Sequence, residues 1–148
     1  MIWHPYTRRS VLRSEPLPVM ERGRGPWLID TDGRRYLDAI SSWWCCSLGH
    51  GHPRLVQAIR RQAGLLQHSI LGNLSHRPAI EAAEALARLL PDRRRVFFAG
   101  GDGSCAVEVA LKMALQHAVH RGESGRTGFL ALEGGYHGDT IAAMAVGY

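Results

Sequence analysis

Lysine is nearly absent from this chain. The basic side chains are almost all arginine, and Lys112 is the only lysine among the 148 residues. Any chemistry that uses a lysine amine as a nucleophile therefore has a single candidate in this sequence. The arginines are scattered, and the densest run, Arg93–Arg95, is short, so the net charge of +5 does not favour a nucleic-acid-binding surface.

Cysteine and long apolar runs are also scarce. The chain has three cysteines, of which Cys45 and Cys46 are adjacent. An odd number of cysteines without the spacing of a disulfide framework is typical of a protein in a reducing compartment. We expect Cys45 and Cys46 to be small packing residues, because no partner base is indicated for either thiol. No continuous apolar stretch follows the first arginines, so the sequence predicts neither a signal peptide nor a membrane anchor. We therefore expect a cytoplasmic protein without membrane or nucleic-acid partners.

The histidines do not form a metal-binding pattern. His4, His50, His52 and His137 are the candidates, and their spacing matches no tight zinc motif. The sequence therefore predicts no metal site.

Residues 1–52 are predicted to be an amino-terminal arm and part of a small domain. The first 26 residues contain four prolines and little periodicity, which indicates an extended arm. Asp32-Gly33 lies between two short runs of strand character and predicts a hairpin. A loop with two tryptophans follows, from Ser41 to Pro53.

Residues 53–148 are predicted to begin a larger domain. Apolar residues at helical spacing start at Pro53 and again near Arg77 and Pro78. The α/β domain predicted from these residues is incomplete, because a parallel sheet needs more strands and helices on both faces.

The α/β class follows from a strand, helix, strand order. The segments 95–100 ("RVFFAG") and 127–133 ("TGFLALE") have the composition of short buried strands, and a helical pattern from Ser104 lies between them. That order predicts a right-handed crossover and a mixed, mainly parallel sheet with covering helices.

Glycines around an aspartate precede the helix in "FFAGGDGS", residues 97–104. Ligands of parallel α/β sheets gather where a strand ends and a helix begins, and a helix start offers unpaired N–H groups to an anion. Gly103 permits close approach and Ser104 adds a hydroxyl, which together suit a phosphate. The alternative is that Asp102 or Ser104 only caps the helix. The spacing fits neither a P-loop nor a dinucleotide fingerprint.

Four segments, taken in order, carry a family resemblance: "IWHPYT" (Ile2–Thr7), "DGRRYLDAISSWWCCSLGHGHP" (Asp32–Pro53), "GSCAVEVALKMALQ" (Gly103–Gln116) and "YHGDT" (Tyr136–Thr140). They resemble the amino-terminal part of the class III aminotransferases, which have fold type I and use pyridoxal 5'-phosphate. Within that family, "WHPYT" and "SSWW" are similar to the enzymes of biotin biosynthesis that transfer an amino group from S-adenosylmethionine to 8-amino-7-oxononanoate.

The resemblance implies a role for five residues. Gly103 and Ser104 match cofactor-phosphate residues, and Tyr136 matches an aromatic that lies against the pyridoxal ring and the substrate. Trp43 matches a wall of the substrate pocket, and Tyr6 matches a catalytically important residue. The resemblance also implies small-molecule substrates, an amino donor and a keto acid, and a homodimer in the full-length form.

Two departures from the family pattern bear on activity. The loop before Gly103 has an apparent extra residue at Gly100-Gly101, which puts cofactor affinity in question. Lys112 lies about 12 Å along the helix from Ser104, at 1.5 Å per residue, and is not expected to form the Schiff base. The 148 residues alone are therefore expected to be inactive. Two alternatives remain, another class III ω-aminotransferase and a non-catalytic truncated remnant.

Overall fold

The computed structural model describes residues 2–14, 16–90, 92 and 95–147, which form two compact units, Met1–Leu74 and Ser75–Tyr148. The first unit contains α1 (Arg9–Ser14), β1 (Met20–Arg24), β2 (Trp27–Asp30), β3 (Arg35–Leu37), α2 (Ser41–Trp44) and α3 (Pro53–Leu65). The second contains α4 (Arg77–Leu89), α5 (Gly103–His120) and α6 (Ile141–Ala145). Arg93 and Arg94 of the arginine run lie outside the described residues.

The three strands form one antiparallel sheet in the order β1-β2-β3. β2 pairs with β3 in the register Trp27–Leu37, Leu28–Tyr36 and Ile29–Arg35, so the hairpin predicted at Asp32-Gly33 is confirmed. Gly33 has a φ of +79°, which a residue with a Cβ rarely adopts.

Asp30 holds this hairpin turn together. Its carboxylate is almost fully buried and accepts hydrogen bonds from the N–H groups of Asp32 (2.9 Å) and Arg34 (2.8 Å) and from the hydroxyl of Tyr36 (2.8 Å). Burial raises the pKa of Asp30, but the hydrogen bonds from Tyr36, Arg34 and Asp32 outweigh it, and the pKa lies below its ordinary value.

The predicted helices at Pro53, at Arg77-Pro78 and after Asp102 are all confirmed. Proline occupies the first turn of both α3 and α4, where its missing N–H costs nothing. His76 precedes α4, and its Nδ1 accepts a hydrogen bond from the N–H of Ala79 at 3.3 Å.

The parallel strand pair predicted at 95–100 and 127–133 is not formed. Both segments are irregular, and no ladder hydrogen bond joins them within the described ranges. Their composition favours strands, but a strand needs a partner beside it and a layer over each face. Here Phe97, Leu130 and Leu132 are mostly exposed, so no such layer covers them.

Few apolar side chains are buried. Among the residues that the structure describes, Ala118 and Ala143 are the buried apolar ones, whereas Leu55 and Ile59, on the apolar stripe of α3, are about half exposed or more. None of the described helices combines the length and the apolar character that a bilayer span requires.

Replacing Asp30 by asparagine should weaken the β2–β3 hairpin. The amide carries no charge and has one acceptor oxygen fewer for the three groups that donate hydrogen bonds to the carboxylate. The folded-state pKa of Asp30 is lowered, so its stabilisation is present above the unfolded value of about 3.9 and is lost as the pH falls through the folded value. Urea unfolding followed by circular dichroism at several acidic pH values should show this loss in the wild type and a smaller one in Asp30→Asn. Asp32→Asn is the control, since Asp32 is exposed and pairs with Arg34; an equal effect of both variants would contradict the role of Asp30.

Candidate functional site

The start of α5 is capped by Asp102. Its carboxylate accepts hydrogen bonds from the N–H of Cys105 at 3.1 Å and from the hydroxyl of Ser104 at 2.5 Å. These two donors, the Ser104 hydroxyl foremost, hold the pKa of Asp102 below its ordinary value. The capping role considered for Asp102 is therefore present, whereas Ser104 lies inside the first turn and is buried.

The N-terminal turn of α5 still offers donors to an anion. Gly103 is the first helical residue, and among the described residues its N–H donates to no protein acceptor. Gly103 also has open space where a Cβ would be. Because the positive end of the helix dipole lies here, the turn keeps the character of an anion site beside its cap.

Gly138 lies directly on this helix start. A Cβ at Gly138 would come within 2.2 Å of the Ser104 Cβ and 2.9 Å of its Cα, and the φ of Gly138 is +108°. Only a glycine permits so close a backbone approach in this conformation. The loop that contains "YHGDT" is thereby packed onto Ser104. Sequence reasoning did not single out Gly138; the glycine inside that motif was the available signal.

Glu108 fixes the far end of the same loop. Its Oε1 accepts a hydrogen bond from the N–H of Ala142 at 2.9 Å, across 34 positions of sequence. The contact anchors the start of α6 on α5, and Ala143 beside it is fully buried. Sequence reasoning missed Glu108, because a glutamate on a helix is usually a solvated side chain.

Tyr136 lies two residues before Gly138, in the same loop that leads into α6. Its hydroxyl donates to Oδ2 of Asp139 at 2.9 Å, and about two-thirds of the side chain is exposed. The structure therefore places Tyr136 and Ser104, both predicted site residues, on two segments that Gly138 brings into contact.

Tyr6 and Trp43, the other two predicted site residues, meet in the first unit. Their ring centroids are 5.5 Å apart with an interplanar angle of 40°, a favourable tilted geometry. Trp44 approaches Trp43 edge-on at 6.2 Å. Both Tyr6 and Trp43 are more than half exposed, so the pair presents an aromatic surface.

The turn that carries Trp43 is left-handed. Ser41, Ser42, Trp43 and Trp44 have φ values of 52°, 47°, 64° and 66°. The carboxylate of Asp38 accepts hydrogen bonds from the N–H (2.8 Å) and the hydroxyl (2.7 Å) of Ser42. These bonds, with His50, hold the pKa of Asp38 below its ordinary value. Sequence reasoning missed both the handedness and Asp38.

Lys112 lies in the middle of α5 and is exposed. Its place is that of a solvated helical side chain, as the sequence predicted. Within the described ranges, no group of three histidine, cysteine, aspartate or glutamate side chains is arranged to hold a metal ion.

Comparison with known proteins gives a consistent match. Residues 10–148 match the model of the family described as aminotransferase class-III. The adenosylmethionine-8-amino-7-oxononanoate aminotransferase of Methanocaldococcus jannaschii is 44% identical over 146 residues, which are 99% of this chain and 32% of that protein. The enzyme of the same name from Synechococcus elongatus is 48% identical over 148 residues, 99% of this chain and 34% of that protein.

Solved structures agree in fold. The crystal structure of the Methanocaldococcus jannaschii enzyme superposes with a TM-score of 0.92 and covers 99% of this chain and 33% of its own. An amine transaminase from an uncultivated Pseudomonas species, in its pyridoxal-phosphate-bound form, superposes with a TM-score of 0.84 at 35% identity, over 99% of this chain and 33% of its own. The predicted fold class, the amino-terminal part of a fold-type-I transferase, is confirmed.

The chain spans about a third of the length of the curated relatives it matches. The family model, in contrast, covers all but the first residues of the chain. On this match, the chain belongs to the class-III aminotransferase family.

Proposed function

We propose that the complete protein transfers an amino group from S-adenosylmethionine to 8-amino-7-oxononanoate and yields 7,8-diaminononanoate, a step of biotin biosynthesis. The observation that carries this proposal is the identity of 44–48% with two enzymes of that name over 99% of the chain. The contact between Tyr6 and Trp43 supports it, because these residues belong to the two motifs that resemble this group of enzymes most.

The cofactor in this proposal is pyridoxal 5'-phosphate, which supplies the electron-withdrawing ring and aldehyde that carry the amino group between substrates. The residues present fit its phosphate at the start of α5, where Gly103 offers an N–H and open space. Ser104 donates its hydroxyl to Asp102 in this structure. Since a hydroxyl has one proton to donate, Ser104 would turn from Asp102 to the phosphate when the cofactor binds.

The remaining residues would position the ring and the substrate. The exposed face of Tyr136 offers a flat surface for a planar heteroaromatic ring, and its hydroxyl is held by Asp139. Trp43 would offer an apolar wall for an aliphatic keto acid, and Tyr6, whose ring lies 5.5 Å from that of Trp43, would bring a hydroxyl that can exchange a proton with the substrate.

Lys112 would not hold the cofactor covalently. Its exposed side chain leaves α5 about 12 Å along the axis from Ser104, at 1.5 Å per residue. We therefore propose that the 148 residues by themselves do not transaminate. We also propose that the complete protein is a cytoplasmic homodimer in which residues 1–52 belong to a small domain and residues 53–148 begin the cofactor domain. The cytoplasmic setting fits three cysteines that are all free thiols.

A second candidate is an ω-aminotransferase of the same family. An ω-transaminase from Pseudomonas jessenii, solved with pyridoxamine phosphate, superposes with a TM-score of 0.89 at 30% identity over 99% of this chain. The aromatic pair of Tyr6 and Trp43 favours the first candidate.

The amino donor separates the two candidates. We expect the complete enzyme to form 7,8-diaminononanoate from S-adenosylmethionine and 8-amino-7-oxononanoate, measured by mass spectrometry of the product. An ω-amino acid in place of S-adenosylmethionine should give little product. Efficient turnover with the ω-amino acid and none with S-adenosylmethionine would contradict the first candidate.

Replacing Ser104 by alanine should weaken pyridoxal phosphate binding to the complete enzyme by about 1–3 kcal/mol, since a hydrogen bond to a charged group is lost. Equilibrium dialysis of the cofactor measures the change. Ser124→Ala is the matched control, because Ser124 lies in an exposed turn of the same unit and makes no such contact. An unchanged affinity in Ser104→Ala would mean that the residue only packs at the helix start.

Replacing Gly138 by alanine should displace the Tyr136 loop from α5, because the added Cβ would overlap Ser104 at 2.2 Å. Gly134→Ala is the matched control: Gly134 also has a positive φ, of +72°, but its Cβ would meet nothing within 4 Å. Both variants should lose about 1 kcal/mol of stability from backbone strain. Only Gly138→Ala should also lose cofactor affinity, and equal affinities of the two variants would contradict the packing role of Gly138.

A further inference from the structure

The left-handed turn α2 carries an energetic cost that the sequence does not relieve. A left-handed conformation costs roughly 1–2 kcal/mol for each residue with a Cβ, and glycine is the residue that avoids this cost. All residues of the turn are serine or tryptophan, with φ values from 47° to 66°. The turn must therefore be held by interactions outside itself.

The side chain of Asp38 supplies two such interactions, in addition to the backbone hydrogen bonds from Trp44 to Ile40 and from Cys46 to Ser41. This side chain is 6% exposed, and it accepts hydrogen bonds from the N–H of Ser42 at 2.8 Å and from the hydroxyl of Ser42 at 2.7 Å. Both donors belong to a left-handed residue, so each bond stabilises that conformation directly. The cavity beside the turn, of about 260 Å³, is lined by Asp38, Ser41 and His50 among others, and it leaves the backbone around the turn without close packing on that side.

His50 connects Asp38 to the sheet. Its Nε2 lies 2.7 Å from Oδ2 of Asp38 and donates to it when that nitrogen carries the proton. The backbone of His50 exchanges two hydrogen bonds with Gly25, at 2.9 and 2.8 Å. A Cβ at Gly23, in β1, would lie 2.7 Å from the His50 Cβ, so the imidazole sits directly against the strand. The carboxylate of Asp38 is thus the link between the strained turn and the sheet.

The handedness of the turn decides where Trp43 points. Side-chain direction follows from backbone conformation, so a change of φ at Ser42 and Trp43 to negative values would carry the indole to another place. In the observed conformation the indole lies 5.5 Å from the ring of Tyr6. Asp38 accepts two hydrogen bonds from Ser42, the residue that precedes Trp43, so Asp38 acts on the indole through the backbone of the turn.

We propose that Asp38 is a positioning residue of the substrate site: with His50 it holds the left-handed turn Ser41–Trp44 and so keeps Trp43 against Tyr6 as the wall for the amino acceptor. The role as a wall rests on the proposed function. The role in holding the turn does not.

Asp38→Asn in the complete enzyme tests the proposal. The amide keeps the size of the carboxylate but removes its charge and one acceptor oxygen; where NH₂ replaces Oδ2, the Ser42 hydroxyl and His50 lose the acceptor that they share. We expect the KM for the amino acceptor to rise about tenfold, since misplaced substrate contacts raise KM, while the affinity for pyridoxal phosphate stays within about twofold. Asp32→Asn, in the exposed turn of the same unit, is the matched control and should leave both unchanged.

A spectroscopic readout follows the turn without any substrate. We expect Trp43, which contacts Tyr6 and Trp44, to contribute to near-ultraviolet circular dichroism, and the difference between wild type and Trp43→Phe identifies the contribution of Trp43. Asp38→Asn should lose it at a temperature where the far-ultraviolet spectrum is unchanged.

Rescue by glycine separates positioning from a general loss of stability. Ser41→Gly removes the strain at φ 52°, and the side chain of Ser41 makes none of the described hydrogen bonds. In the Asp38→Asn background, we expect Ser41→Gly to restore most of the near-ultraviolet signal and to lower the KM for the amino acceptor towards the wild-type value. A substitution that relieved strain at a site unrelated to the turn would raise only the melting temperature.

Three results would overturn the proposal. The first is an Asp38→Asn enzyme with normal acceptor KM and normal near-ultraviolet signal, even if its melting temperature falls. The second is a changed signal with an unchanged acceptor KM. The third is a loss in Asp38→Asn that Ser41→Gly does not reverse. If the wild-type enzyme does not use 8-amino-7-oxononanoate, the proposed function fails, and the near-ultraviolet comparison then decides by itself whether Asp38 holds the turn.

Discussion

The close approach of Gly138 to Ser104 is the constraint on which the candidate cofactor site depends. It places the loop that contains Tyr136 against the first turn of α5, although the two segments are far apart in the chain. Glu108 secures the other end of that loop through the N–H of Ala142. The hydrogen bond from Ala142 to Glu108 and the close contact of Gly138 with Ser104 together restrict the conformation of the loop.

Carboxylates that accept several hydrogen bonds organise the local structure in both units. Asp30 closes the hairpin, Asp38 holds the left-handed turn and Asp102 caps α5, and each accepts more than one hydrogen bond. Hydrogen bonds from N–H and hydroxyl groups lower the pKa of each of these three acids, which keeps them ionised and strong as acceptors at neutral pH. In a chain with few buried apolar side chains, such local contacts define the conformation of the functional loops.

Elements marked by proline and glycine were predictable from the sequence, and elements that depend on distant contacts were not. The hairpin at Asp32-Gly33 and the helices that begin at Pro53 and Arg77 follow from the backbone geometry of those residues. The left-handed turn has no glycine and therefore no local signal. Segments 95–100 and 127–133 have strand composition, but propensity does not supply a neighbouring strand. The roles expected of Tyr6 and Trp43 came from family resemblance, and their contact could not be derived from spacing.

The hydrogen bond between Glu108 and Ala142 joins residues that are 34 positions apart in the sequence, so the surface beside it is built from two remote segments of the chain. Contacts between remote positions form late, because closing a long loop must precede any gain from the contact. If the start of α5 holds the cofactor phosphate as proposed, Tyr136 joins that site only once the loop around Gly138 has folded back onto α5.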